Sequence, residues 1–197
     1  MRVLRHLIIA VGLVALSACQ TNDLKEPPVP LGDFSLGINV AVVEGVQKSP
    51  ISRDAKPGEL KAAMEKAVDA RFSRYTGSKL FNIGVSIDGY ALSPPGIPIL
   101  FSPPSVMIIT VSVFDDAKGL KLNPDGERMN IIERSSPQTF IGSGLTQTKA
   151  RQLEILSYNA AKRIEVYLLD HPDWLGMTPE QAAAAKLQSQ GNPKATK

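Results

Sequence analysis

Few side chains here could do chemistry, and most of them stand alone. The 197 residues include two histidines and one cysteine. His171 lies at a helix end beside Pro172, with Asp170 and Asp173 as neighbouring acids. It is the one candidate for general-base work, but no serine stands in a nucleophile-elbow motif. A histidine at a helix carboxyl end also suits the helix dipole. Asp115-Asp116 could act as paired carboxylates or hold a cation. Successive strand residues point to opposite faces, so the two converge only if the turn bends them. Gly142-Ser143-Gly144 precedes a helix and could cradle an anion on backbone N–H groups. It lacks both the Walker spacing and G-x-G-x-x-G, and reads as a strand-to-helix turn. No catalytic residue, metal site or cofactor is expected, and the chain is not expected to be an enzyme.

Cys19 is different, because its surroundings are specific. Arg2 and Arg5 make a basic amino end, and residues 7–16 form an apolar run. That run is shorter than the roughly 20 residues a spanning helix needs, and it fits the apolar region of a secretory signal peptide. The run closes on Leu16-Ser17-Ala18-Cys19. In these four residues the chain resembles the lipobox of bacterial lipoproteins, and more broadly the small envelope lipoproteins of Gram-negative bacteria. The resemblance implies cleavage before Cys19, a diacylglycerol on its thiol and an acyl chain, typically palmitate, on its freed amine. At about 0.8 kcal/mol per buried CH₂, two or more chains anchor stably. Gln20, where inner-membrane lipoproteins often carry Asp, favours the outer membrane, with the domain facing the periplasm.

Such maturation alters the charge balance. The full chain has 22 Lys+Arg against 19 Asp+Glu, a net charge of +3. Removing residues 1–18 takes Arg2 and Arg5, leaving 20 basic residues against 19 acidic and a net +1. His6 goes as well, and lipid occupies the only thiol. Basic residues are interspersed with acids and aromatics are 6% of the chain, so no nucleic-acid face is expected.

The remainder divides into a lipidated tether over 19–32, rich in proline, a single domain over 33–176, and a short helix with a disordered tail over 177–197. Period-two patterning predicts a strand over 34–42, with Phe34, Leu36, Ile38, Val40 and Val42 facing inward. A helix follows over about 58–76, its stripe formed by Leu60, Met64, Ala67, Val68, Phe72 and Tyr75. Arg71, Arg74 and Lys79 cluster near its carboxyl end, where cations suit the dipole, and Gly77 is placed to cap it. Strands are expected over 81–87, over 106–114 as a central strand, and within 128–141. The longest helix runs over about 146–170, with Leu153, Leu156, Ala160, Ile164, Tyr167 and Leu168 inward and Trp174 plugging the core's edge. Thr178-Pro179-Glu180-Gln181 starts a last short helix. The order β-α-β-β-β-α defines an α+β, two-layer domain: a roughly four-stranded, mainly antiparallel sheet with two main helices on one face.

One connection stands out. Residues 93–105 carry five prolines around Ile97, Ile99, Leu100 and Phe101. Proline removes ladder donors, so this is a stiffened connection between strands. Its apolar residues either fold over the core or form an exposed tip that contacts a partner. The expectation is a membrane-anchored, non-enzymatic interaction or assembly module of the cell envelope, meeting an envelope protein partner through these four residues. The alternative is a periplasmic module that binds a small or lipidic ligand between sheet and helices as a transport auxiliary.

Overall fold

The computed structural model describes residues 23–94, 104–133 and 148–190. Cys19, the apolar tip at Ile97, Ile99, Leu100 and Phe101, and the Gly142-Ser143-Gly144 turn lie outside them. Six strands are present: β1 (Phe34–Val42), β2 (Gln47–Lys48), β3 (Lys79–Ala91), β4 (Val106–Asp115), β5 (Leu120–Lys121) and β6 (Glu127–Ile132). The helices are α1 (Pro57–Phe72), α2 (Lys149–Leu169) and α3 (Pro179–Ser189), and a 3₁₀ turn occupies Asp23–Lys25. The α+β class is as expected, in an open sheet with helices.

Sheet order follows from the connections. β3–β4 and β4–β6 are antiparallel, while β1 and the short β2 pair with β3 in parallel. Chain leaving β1 passes through α1 before returning as β3, and a crossover of that kind returns a strand in the same direction. The ladder is therefore mainly antiparallel with one parallel edge. β4 is central, as expected, with Met107, Ile109, Val111 and Val113 buried on one face and the alternate residues half-buried on the other. The Asn123–Gly126 turn closes with Gly126 N–H donating to Asn123 at 2.8 Å, and Gly126 takes φ 74°.

The inward set expected for β1 is wrong beyond Leu36. Its register shifts between Leu36 and Asn39, so Ala41 turns in and Ile38, Val40 and Val42 turn out, 64%, 40% and 42% exposed. Asn82 stitches this bulge. Its Oδ1 accepts the Ile38 N–H at 2.7 Å and would clash with a Cβ at Gly37. An extra residue reverses the parity of everything after it, because side chains alternate with a period of two.

Between sheet and helices lies a core built from Phe34, Phe72, Phe81, Leu60, Met64, Leu156 and Ile164, all fully buried. Phe34 stacks on Phe81 at 5.2 Å and meets Phe72 and Tyr75 at 5.5 and 5.7 Å. Each such burial contributes about 1.5–3 kcal/mol. α1 and α2 lie side by side in the same direction. Lys149 at the start of α2 reaches Glu59 at the start of α1 at 2.7 Å, and Arg71 meets Glu165 near the far ends. α3 buries Ala182 and Ala185.

Two expectations about α1 need correcting. It ends at Phe72, so Gly77 does not cap it. A Cβ at Gly77 would instead collide with the backbone of Asp33 and Phe34, and the Gly77 N–H donates to Phe34 at 2.9 Å. Glycine is required there because two backbones cross. Arg71 is 1% exposed and belongs to a buried polar cluster, so it is no surface complement to the helix dipole.

Candidate functional site

The most concentrated arrangement of charged side chains is built on Arg71. Its Nη1 donates to Glu165 Oε2 at 3.1 Å, and its Nη2 to Asp23 Oδ1 at 2.8 Å. Glu165 also accepts from Tyr75 at 2.9 Å and from Ser189 of α3 at 3.2 Å. Asp23 also accepts from Tyr158 Oη, and from Lys162 Nζ at 2.9 Å. The Arg71 guanidinium lies over the Tyr158 ring at 5.2 Å. Two carboxylates, two cations and two phenols are thus joined across both long helices, α3 and the amino-terminal turn, with Arg71 Nε alone of the guanidinium nitrogens left without a hydrogen bond among the described residues.

The electrostatics follow from that geometry. Burial alone would raise the Asp23 carboxyl, but hydrogen bonds from Arg71, Tyr158 and Lys162 outweigh it and hold the group well below the usual carboxylate range. Burial, with the Asp23 carboxylate beside it, pushes Tyr158 up to about 12. Tyr75 is raised by burial and by Glu165. The cluster is an ion-pair clamp with every charge partnered.

What the clamp grips is the amino-terminal segment. Arg74 adds bonds from Nη1 to the carbonyls of Glu26 at 2.9 Å and Leu24 at 3.3 Å. Val29 and Leu31 are then buried, and Asp33 N–H donates to Leu175 at 3.0 Å. The stretch expected to be a tether clear of the domain is, from Asp23 onward, packed on it. Apolar anchors at Val29 and Leu31 and a charged anchor at Asp23 explain the difference. Beside this strap, Pro28, Pro30, Arg74, Thr76 and Gly77 border a shallow depression of about 360 Å³.

The stem of the proline-rich connection is also well defined. β3 and β4 remain paired out to Ala91 and Val106. Ser93 N–H then donates to Ser105 Oγ at 3.2 Å, and Gln152 of α2 donates to the Ser93 carbonyl at 3.1 Å. Ser93, Ser105 and Gln152 are all buried. The two described ends of the connection are therefore held together at one point.

Other sequence candidates stay apart. Asp115 pairs with Lys118 at 2.9 Å, whereas Asp116 accepts from Asn82 at 2.8 Å, so the adjacent carboxylates engage different partners. His171 stacks on Trp174 at 4.0 Å and meets Tyr167 edge-on at 4.7 Å, while Asp170 pairs with Lys186. Trp174 packs against the edge of the core. Among the described residues no group of three His, Cys, Asp or Glu is placed to hold a metal, and no helix is long and apolar enough to cross a membrane.

These elements define a two-layer α+β domain with a clamped amino-terminal strap. No family model matches the chain, and no curated protein matches it. Among solved structures it is similar to a protein of Caulobacter crescentus described as a candidate lipoprotein, at 14% identity over 68% of this chain and 92% of that one, with a TM-score of 0.36. It is also similar to PelC of Paraburkholderia phytofirmans, solved as a dodecamer, at 11% identity over 66% and 92%, with a TM-score of 0.29.

Proposed function

We propose that the chain is a lipid-anchored protein of the cell envelope, held at the outer membrane and facing the periplasm, whose domain is a non-enzymatic interaction or assembly module. The observation that carries the reading is Leu16-Ser17-Ala18-Cys19 at the end of a basic-then-apolar leader. The partner surface in this reading is the tip of the 93–105 connection, Ile97, Ile99, Leu100 and Phe101. The pinned stem at Ser93 and Ser105 supports it, because a loop with a rigid base presents its tip at lower entropic cost. Metabolic labelling with a fatty acid tests the anchor. Cys19→Ser should lose the label and move from the membrane fraction to the soluble one; membrane retention without acyl label on the wild type sinks the reading. Leu100→Asp with Phe101→Asp should leave the fold intact and abolish crosslinking to the envelope partner.

The ligand-binding alternative placed its site between sheet and helices. That space is filled by Phe34, Phe72, Phe81 and their neighbours; the depression beside the strap is one place open to a small ligand. Native mass spectrometry of the purified protein showing only bare mass would count against it.

A further inference from the structure

We infer that the outer face of the α1–α2 layer lies against the lipid headgroups, with the face of the sheet opposite the helices turned away from the membrane. The inference rests on the anchor at Cys19 proposed above, and on where the clamp holds the chain.

Only residues 20–22 separate Cys19 from Asp23. Four Cα–Cα steps span at most about 14 Å, so whatever surface Asp23 occupies stays within that reach of the acylated residue. Asp23 occupies the side of the helical layer away from the sheet. On α2, Leu156, Ala160 and Ile164 are fully buried in the core. Tyr158 and Lys162, the residues that bind Asp23, come two positions after Leu156 and Ala160. At 3.6 residues per turn, two positions amount to about 200° around the helix. On α1 the same step leads from buried Met64 to exposed Lys66, with exposed Ala62 and Ala70 one turn to either side. On α1 the partner is Arg71, which reaches Asp23 from the buried stripe, so the strap seats over the α1–α2 junction, and Lys25 of the strap and Lys66 of α1 are both exposed.

The opposite face of the sheet carries Val40, Val42, Ser86, Thr110 and Ile132. It stands beyond a helical layer about 10 Å thick. Had the strap begun free at Leu31, twelve residues could have let the domain tumble. With Asp23 clamped, the leash is too short for the sheet face to reach the headgroups as readily as the helices do.

The test uses the full-length acylated protein in vesicles carrying a headgroup-attached nitroxide quencher. Acylation consumes the Cys19 thiol, so Lys66→Cys or Val40→Cys supplies a unique site for a fluorophore. Severalfold stronger quenching at position 66 than at position 40 is expected. A Gly-Ser insert of about twelve residues before Asp23, which leaves the clamp intact, should abolish the difference. Equal quenching at the two positions of an acylated, vesicle-bound protein overturns the orientation alone. A protein that takes up no acyl label and stays off the vesicles overturns the anchor, and the orientation with it.

Discussion

Arg71 and Glu165, 94 residues apart, meet at 3.1 Å with 1% and 2% of their side chains exposed. A pair so buried is costly to form and more costly to break, because either partner left alone is an uncompensated charge away from water. Replacing Arg71 with Met keeps the volume and strands Glu165. We expect a loss of about 3–5 kcal/mol, read as a lower urea midpoint at unchanged slope. Replacing Arg71 and Glu165 together with Met and Leu should recover most of it.

Asp23 gives the clamp its acid limit. Burial opposes ionisation, but three donors hold its folded carboxyl below the ordinary value of 3.8. Its contribution is complete above that value and is lost as pH falls through it toward the folded one. Thermal melts of the detergent-solubilised wild type should drop steeply below pH 4. Asp23→Asn should be less stable at pH 7 by about 1–3 kcal/mol and show a flatter acid limb. Identical limbs would dissociate Asp23 from acid unfolding.

Tyr158 gives the corresponding alkaline limit. With a folded value of about 12 against an ordinary 10.0, its contribution is present below pH 10 and is lost as pH rises through 12. Tyr158→Phe should flatten stability between those values; an unchanged alkaline limb in that variant would refute the assignment.

Gly77 and Gly58 make a controlled comparison. At Gly77 a Cβ would press on the backbone of Asp33 and Phe34, whereas at Gly58 it meets nothing within 4 Å. Gly77→Ala should destabilise by several kcal/mol, since neither backbone can yield. Gly58→Ala, in the first turn of α1, should stabilise by up to about 1 kcal/mol. Chemical denaturation of both variants checks the contrast.

The bulge in β1 depends on Asn82. Asn82→Ala removes the acceptor for the Ile38 N–H and the partner of Asp116. A cost of about 1 kcal/mol is expected, with amide exchange at Ile38 accelerated while Val85 and Val111 keep their protection.

Period and spacing made the skeleton readable. The stripes of α1 and α2 fell where 3.6-residue periodicity put them, because Leu60, Met64, Val68 and Phe72, like Leu153, Leu156, Ala160 and Ile164, have no other place to go. The errors came from interactions between distant residues. Nothing local in Phe34–Val42 reveals that Asn82 forces a bulge and reverses the strand's exposed side. Arg71 looks like an ordinary cation near a helix end until Asp23 and Glu165 are brought to it from positions far apart in the chain. The one available signal was its place on the apolar stripe, seven residues after Met64, where a charge needs a partner. Val29 and Leu31 were similarly masked by the prolines around them, and Gly77 by its plausible capping position.

The clamp also orders events in time. Asp23 is bonded to residues 48, 135 and 139 positions further along the chain. A chain made from its amino end exposes Asp23 almost first, yet two of its three partners lie on α2 and exist only when synthesis is nearly complete. Loops of that length are exceeded by the 142 residues between Asp33 and Leu175, and their closure carries an entropic cost, so the clamp on Asp23 is completed only once α2 has been made.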